Sequence, residues 1–314
     1  MKRLLLFCGV FSFAVLLLSQ TIPGWKMSDD QLKALANQVS AGRSLQPETW
    51  PNGSRVAVLL SFDVDSQTWE LRKGETPSIV ALSQGEYGTR VGLKRIVNLM
   101  DKHQIPASFF IPILSIKLHP EVVDIIKTSG RHEFGIHGWV HEYATTLPEG
   151  VEKQLLDSQL KFFEQNIGIR PVGYRAPAWI LSSNTIGLLR EFGFLYDSSL
   201  MADDRPYEIN EKGKPTGLVE LPVEWMLDDA TLVDPMGDNY SSPRDVLTVF
   251  KDEFDKAYEE GTMFLLTMHP RVIGHRSRIV ILEELIDYIK AKGNVWFATH
   301  QQAAEYVKSQ FFKK

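Results

Sequence analysis

The chain alternates short apolar runs with longer segments in which apolar residues recur every three or four positions. The apolar runs predict buried strands at 56–62, 107–111, 133–136, 172–174, 218–223, 263–268 and 294–298. Between them the pattern predicts helices at 91–103, 120–129, 151–167, 184–192, 243–260 and 279–292. Strands that alternate with helices indicate an α/β fold with a mainly parallel sheet. About seven strands over some 250 residues favour an irregular (β/α) barrel.

The N-terminal segment differs from the rest of the chain. Lys2 and Arg3 precede an apolar stretch over residues 4–18, which is typical of a secretory signal. The stretch is short for a membrane span, and because no small-residue cleavage pattern follows it, an uncleaved N-terminal anchor is the alternative. We therefore expect residues 1–20 to be a signal peptide or anchor and the protein to be exported to the periplasm or the extracellular space. We predict a polar leader over 21–54, with a short helix near 29–39, and one catalytic domain over 55–314.

Composition narrows the class of partner. The 314 residues are 44% hydrophobic and 23% charged, as in an ordinary globular protein. A net charge of −5 provides no basic surface for nucleic acid, so a neutral or polar substrate is favoured. The single cysteine lies at position 8, inside the N-terminal apolar stretch, which excludes a disulfide framework or a cysteine nucleophile in the catalytic domain.

Polar side chains follow the predicted strands where each strand ends. Asp63 and Asp65 follow the first strand, His137 the third, Arg175 the fourth and His269 the sixth. Parallel strands of a barrel end at one rim, and that rim is where barrel enzymes hold their active sites. We therefore expect these groups to meet at one site.

His137 and His141 are four residues apart, so on a helical turn both would face the same side. With a carboxylate from the Asp63–Val64–Asp65 triplet they supply the ligand types of a catalytic zinc site. One aspartate would bind the cation while the other serves as general base to a water. The alternative is a solvated or core histidine pair with an aspartate that caps a turn.

The remaining candidates suit the later steps of a hydrolysis. His269 could donate a proton to a departing amine, and Arg175 could hold a base carboxylate ionised and oriented. The N–H of Ala178 could face an oxyanion. In the segment 225–229, Trp225 could wall a cleft, and Asp228 or Asp229 could orient the histidine. Ordinary structural roles are the alternative for each of them.

Taken together, the ordered motifs resemble the polysaccharide deacetylase superfamily, the NodB-homology domain of carbohydrate esterase family 4. The resemblance covers roughly residues 55–308. Its five motifs correspond here to Ser61-Phe-Asp63-Val-Asp65, His137-Gly-Trp-Val-His141, Arg175-Ala-Pro-Ala-Trp179, residues 225–229, and Leu266-Thr-Met-His269-Pro270.

The resemblance implies a role for each motif residue. It makes Asp63 the base, and Asp65, His137 and His141 the metal ligands. Arg175 would position the base, the Ala178 N–H would contribute to the oxyanion hole, and His269 would be the acid. The resemblance also implies a distorted, TIM-like barrel and a divalent metal, usually Zn²⁺, with Co²⁺ and Ni²⁺ as alternatives.

Two departures indicate a branch of the superfamily. Val64 separates two aspartates that are usually adjacent, and Ala178 precedes Trp179 where an aromatic residue is common. Together with Ser83-Gln-Gly-Glu-Tyr-Gly88, they resemble atypical peptidoglycan deacetylases and allantoinase-like cyclic amide hydrolases. That branch commonly forms homo-oligomers, so the resemblance also implies subunit association.

We therefore expect a metal-dependent hydrolase of non-peptide C–N bonds that deacetylates N-acetylated sugars of peptidoglycan or chitin type. Trp179, Trp225, Asp228 and Asp229 are its expected cleft residues. Hydrolysis of a cyclic amide such as allantoin is the first alternative, and a non-catalytic carbohydrate-binding relative is the second. We expect no nucleic-acid partner, and no stable membrane span unless the signal stays uncleaved.

Overall fold

The structure is a computed structural model that describes residues 22–234 and 240–312. These residues contain ten strands: β1 (Val39–Ser44), β2 (Val56–Asp63), β3 (Ser108–Ile111), β4 (Glu133–Ile136), β5 (Gly173–Tyr174), β6 (Tyr196–Asp197), β7 (Tyr207–Glu211), β8 (Lys214–Glu220), β9 (Met263–Met268) and β10 (Val295–Ala298). They also contain twelve α-helices: α1 (Asp29–Ala36), α2 (Thr68–Leu71), α3 (Ile79–Tyr87), α4 (Leu93–His103), α5 (Ile113–Leu118), α6 (Glu121–Lys127), α7 (Val151–Asn166), α8 (Thr185–Glu191), α9 (Asp229–Val233), α10 (Pro243–Glu260), α11 (Arg276–Lys292) and α12 (His300–Phe311).

The strands form one curled sheet in the order β1-β7-β8-β6-β5-β4-β3-β2-β10, and β9 pairs with the other edge of β2. The pairings from β8 through β6, β5, β4, β3 and β2 to β9 are all parallel. An isolated parallel bridge from Asp228 to Thr267 links the chain after β8 to β9. The predicted irregular barrel of about seven strands is therefore confirmed.

Burial explains which segments became strands and helices. All eight residues of β2 are buried, as expected for a parallel strand covered on both faces. The helices are amphipathic instead: α4 buries Leu93, Ile96, Val97 and Met100, which share one face at helical spacing. The main hydrophobic core lies between such helix faces and the sheet.

The segment predicted to be a leader does contain the expected short helix, but it also supplies an edge strand. The strand β1 pairs antiparallel with β7, with Val39 opposite Glu211. The predicted signal or anchor lies outside the described residues. In residues 22–234 and 240–312, no helix is long and apolar enough to cross a membrane.

Candidate active site

The predicted site residues follow the carboxyl ends of the parallel strands. Asp63 is the last residue of β2, and His137 comes directly after β4. Arg175 follows β5 in the same way, and His269 follows β9. Because parallel strands end at one rim, these four residues from separate parts of the chain meet there.

The two histidines are brought together by a loop, so the predicted helical turn is wrong. Residues 137–141 have no helical structure, and both Gly138 and His141 have positive φ angles, of 80° and 62°. The Glu142 carboxylate holds this loop by accepting the backbone N–H groups of Trp139 and Val140. The imidazole rings nevertheless meet edge to face, 5.0 Å apart. A strained loop of this kind is common where side chains must converge on a site.

Asp65, His137 and His141 form a cluster whose geometry suits a metal ion. One ligand atom from each lies within 4.8 Å of the others. The Asp65 Oδ1 atom is 3.5 Å from His137 Nε2 and 3.7 Å from His141 Nε2. This oxygen is buried and accepts no hydrogen bond from any described residue. His137 donates through Nδ1 to the Arg175 carbonyl, at 2.8 Å, which leaves its Nε2 lone pair directed at the carboxylates.

The electrostatics of the cluster also suit a cation. Burial raises the pKa of Asp65, but the facing histidines outweigh it, so this pKa is well below its usual range. Burial lowers the pKa of His141 to about 4 despite the nearby Asp65, so its imidazole is neutral. Burial also opposes the charged form of His137, yet Asp63 and Asp65 raise its pKa. An ionised carboxylate and a neutral imidazole are the forms that ligate metals.

Asp63 is held beside this cluster by Arg175. The guanidinium donates through one nitrogen, Nη1, to Asp63 Oδ1 and to Ser61 Oγ, both at 2.8 Å. The other carboxylate oxygen of Asp63 lies 3.6 Å from His137 Nε2. Both carboxylates of the triplet therefore point to the same side, as the extended backbone predicts.

A set of buried partners fixes the arginine in turn. Arg175 is fully buried, and it donates to the Ser198 carbonyl, to the Ser198 hydroxyl and to His300 Nε2. Its guanidinium also lies 4.1 Å from the centre of the Phe110 ring. Burial lowers the pKa of His300, and the charge of Arg175 lowers it further, so this histidine is a neutral acceptor. Ser198 and His300 were not predicted from the sequence, because both lie outside the five motifs.

The loop that follows Arg175 exposes a backbone donor. Ala178 and Trp179 have positive φ angles of 51° and 56°, a conformation that costs energy for residues other than glycine. The Ala178 N–H donates to no acceptor among the described residues. The Trp179 ring packs against Trp225, with centroids 4.4 Å apart, and Trp225 is 48% exposed. These two rings can form a wall of the cleft.

His269 is oriented by Asp229. Its Nδ1 lies 2.8 Å from Asp229 Oδ1, and the Asp229 carboxylate also accepts the backbone N–H groups of His269 and Ile273. Burial opposes protonation of His269, but Asp228 and Asp229 outweigh it and raise its pKa to about 10. Asp229 is fully buried behind the imidazole and cannot line the cleft, contrary to that part of the sequence analysis. Asp228 instead accepts the Ala230 N–H at the start of α9.

A buried pair of carboxyl groups, which the sequence did not predict, lies beside the loop that follows Arg175. Asp197 and Glu220 are both fully buried, and the chain pairs them in register across β6 and β8. The Ser199 hydroxyl donates to Asp197, and in turn accepts the backbone N–H of Ala176, next to Arg175. Glu220 accepts the N–H groups of Ser199 and Leu200. Glu220 lies inside the predicted strand 218–223 and Asp197 lies in no predicted element, so the sequence pattern gave no signal for this pair.

One rim of the barrel holds an Asp-His-His cluster, an aspartate held by an arginine and a histidine held by an aspartate. This arrangement is typical of a hydrolase. Comparisons with known proteins give the family. Residues 73–196 match the family model for polysaccharide deacetylase. The chain is 30% identical to the peptidoglycan deacetylase of Helicobacter pylori over 290 residues, which cover 82% of this chain and 99% of the relative.

Solved structures agree with this match. A Mycobacterium smegmatis protein assigned as a polysaccharide deacetylase is 35% identical, with a TM-score of 0.78 over 86% of this chain and 96% of its own. Puue allantoinase is 25% identical, with a TM-score of 0.75 over 88% of this chain and 96% of its own. The chain belongs to the polysaccharide deacetylase family, and it is an enzyme of the type that acts on carbon–nitrogen bonds other than peptide bonds.

Proposed function

We propose that the protein is an exported, metal-dependent deacetylase of N-acetylated sugars of peptidoglycan or chitin type. The observation that carries the proposal is the convergence of Asp65, His137 and His141 with Asp63 on one side and His269 on the other. The Asp65 carboxylate is central to it, because Oδ2 lies 3.8 Å from His269 Nε2 while Oδ1 faces the other two histidines. The peptidoglycan deacetylase of Helicobacter pylori supports a cell-wall glycan as the substrate class.

Asp65, His137 and His141 would hold a divalent ion, with Zn²⁺ first and Co²⁺ or Ni²⁺ as alternatives. When bound, such an ion supplies Lewis acidity for the substrate carbonyl and for the attacking water. Hydrogen bonds to two of these ligand residues would hold them in place for the ion. The Arg175 carbonyl fixes the tautomer of His137, and the Ser115 hydroxyl holds the Asp65 backbone by donating to its carbonyl at 2.7 Å.

The protein's own groups then move two protons. Asp63, oriented by its hydrogen bond from Arg175, takes a proton from the water as the water oxygen attacks the acetamide carbonyl. The Ala178 N–H donates a hydrogen bond to the oxyanion that develops. His269 gives its Nε2 proton to the departing amine nitrogen as the C–N bond breaks. The products are acetate and the free amino sugar.

The cleft wall fits a sugar ring. The exposed Trp225 ring packs at a tilt of 43° against Trp179, the residue after Ala178, and so offers an apolar surface near the Ala178 amide. The pyranose face of an N-acetylated sugar is a suitable partner for such a surface. In this proposal residues 55–314 form the catalytic domain, and the apolar segment within residues 1–20 directs export.

Hydrolysis of a cyclic amide is the second candidate. The structural likeness to Puue allantoinase over 88% of this chain is the observation that favours it. Both reactions need the same water-activating groups, so the candidates differ only in the leaving group and in the shape of the cleft.

A panel of substrates tests the proposal. Purified enzyme with measured metal content is incubated with peptidoglycan and chitooligosaccharides, and acetate is quantified. The same enzyme is incubated with allantoin and succinimide, and ring opening is followed. The proposal requires acetate release from at least one of the glycans at a rate well above that of any ring opening. Ring opening without acetate release would replace it with the cyclic amide candidate.

A further inference from the structure

A cavity of about 530 Å³ lies between the end of α3, the start of α4 and the start of α11. None of its lining residues belongs to the candidate active site. It is lined by Tyr87, Val91, Arg95 and the four consecutive residues 275–278. The motif Ser83-Gln-Gly-Glu-Tyr-Gly88, to which the catalytic account gives no role, contributes Tyr87 to its wall.

Glycines build the wall of this cavity by close contact of two backbones. A Cβ atom on Gly92 would lie 2.1 Å from the Pro270 carbonyl oxygen, and one on Gly274 would lie 2.4 Å from Gly92 Cα. Any larger residue at either position would force the segments apart. This contact brings Tyr87 over His275, where the two rings stack 4.0 Å apart.

The cavity is lined by cationic groups. Arg95, Arg276 and Arg278 all contribute to it, and no carboxylate is among its described lining residues. Arg95 donates to the Tyr87 hydroxyl at 2.7 Å and to the Gly274 carbonyl at 3.0 Å. The positive potential is therefore not cancelled within the cavity wall.

Arg278 carries a buried donor that the protein leaves unused. The residue is only 7% exposed, and its Nη1 donates to the Val272 carbonyl at 3.0 Å. Its Nε–H, which is buried, reaches no acceptor in the described part of the chain. Arg278 is therefore a buried cation in the cavity wall, and an anion against its guanidinium would offset the cost of burying that charge.

The start of α11 adds further free donors. This helix is 17 residues long, its N-cap His275 makes no side-chain capping bond, and its first turn has no acidic residue. The backbone N–H groups of Arg276 and Ser277 donate to no described residue. Free amides at the positive end of a helix dipole are a general site for anions.

We propose that this cavity binds a compact oxyanion, a phosphate or carboxylate group carried by a ligand. The anion accepts hydrogen bonds from the free amides of α11, with the guanidinium groups of Arg95, Arg276 and Arg278 around it. The arginine side chains provide charge-assisted bonds of the kind that suit both anion types.

Anion-dependent thermal unfolding of the metal-loaded enzyme tests the proposal. The Tm is measured in rising inorganic phosphate, and separately in glutarate, with chloride adjusted to keep the ionic strength constant. In wild type we expect a rise of about 2–4 °C at an anion concentration several times its Kd. The Arg276→Ala variant should lose most of this rise. The Arg90→Ala control removes the same charge from an exposed residue outside the cavity and should keep it.

The Ser277→Asp variant separates loss of anion binding from loss of folding, because it should stay folded. Its carboxylate would accept the free amides itself and favour the helix dipole, so the variant should be at least as stable as wild type without added anion. It should nevertheless lose the anion-dependent rise. Any anion effect at the catalytic cluster is shared by all the variants and cancels in the comparison.

If wild type shows a rise in Tm that both Arg276→Ala and Ser277→Asp lose, the anion that causes it identifies the ligand. A loss seen with phosphate alone assigns a phosphate ligand, and a loss seen with glutarate assigns a carboxylate ligand. If wild type, Arg276→Ala and Ser277→Asp respond equally to both anions, the cavity is not an anion site.

Discussion

The buried carboxyl pair Asp197 and Glu220 gives the protein a pH-dependent stability that can be worked out from the structure. Burial raises the pKa of Asp197 to about 6, against the hydrogen bonds from Glu220 and Ser199 that lower it. Burial and the charge of Asp197 raise the pKa of Glu220 well above its ordinary value. Two fully buried carboxyls in contact cannot both ionise at moderate cost, so the folded state keeps one proton between them.

The Glu220→Gln substitution imitates the protonated form without a titrating proton. The amide oxygen can still accept the N–H groups of Ser199 and Leu200, which both bond to Glu220 Oε1 at 3.0 Å. The amide nitrogen can donate to the Asp197 carboxylate. We therefore expect the variant to keep the fold and the hydrogen bonds that hold the loop at Ala176.

The sign of the effect follows from the direction of the pKa shifts. Because the folded pKa values are raised, the folded state holds a proton that the unfolded chain loses above about pH 4.5. The contribution of the pair is fully present below that pH and is lost as the pH rises. The loss is about 1.4 kcal/mol for each pH unit while the pair keeps its proton, or roughly 2–3 kcal/mol between about pH 5 and pH 7.

Urea unfolding of wild type and Glu220→Gln at about pH 5 and pH 7 measures this difference. The free energy of unfolding of the variant, relative to wild type, should increase by roughly 2–3 kcal/mol from the lower to the higher pH. The exposed Glu149→Gln removes the same charge from the surface and should change little with pH. A difference between Glu220→Gln and wild type that is independent of pH would refute the shared proton.

Other variants test the site itself. Arg175→Met leaves the buried Asp63 carboxylate without its cation, so we expect a loss of roughly 3–5 kcal/mol in urea unfolding together with a loss of kcat; wild-type stability would contradict the pairing. Asp229→Asn removes the charge next to the imidazole, so the pKa of His269 should fall from about 10 and the alkaline limb of the kcat/KM profile should move to lower pH; an unmoved limb would exclude His269 as the acid. Trp225→Ala removes the exposed ring of the cleft wall, so KM for a glycan should rise roughly 3- to 10-fold with kcat kept, and an unchanged KM would place the sugar elsewhere.

The barrel was predictable because its central strands are covered on both faces. Every residue of β2 and of β9 is buried. Such a short, continuous apolar run is typical of a parallel strand that is covered on both faces. The edge of the sheet was not predictable for the opposite reason. The strand β1 has no buried residue, and β7 mixes polar with apolar residues. Antiparallel pairing defines both strands, because β7 pairs with β1 on one edge and with β8 on the other.

Short and small-residue elements were missed as well. The strand β6 is two residues long, which is too short to show an alternating pattern of apolar and polar residues. The helix α12 buries only His300, Ala303, Ala304 and Val307, and two of these are alanines, so its apolar pattern is weak. Its start is marked by a capping box between Thr299 and Gln302, and that was the usable signal.

The candidate site divides in the same way. Its central residues were found because each follows a strand, and the strand ends converge whatever the details of the loops. The supporting groups were not found, because contacts such as Arg175 to His300 join residues 125 apart in the chain. The strained backbone at Ala178 was equally hidden, since alanine rarely adopts a positive φ, and histidine adopts one too seldom for His141 to have marked the loop.

The most direct test of the central claim compares metal content and acetate release in two variants of the same cluster. Asp65→Ala should lose both the bound metal and turnover, because its carboxylate is the anionic member of the ligand set. His269→Ala should keep the wild-type metal-to-protein ratio but release acetate roughly 10²- to 10⁴-fold more slowly, as expected for loss of a general acid. Wild-type metal content in Asp65→Ala, or wild-type kcat in His269→Ala, would contradict the account.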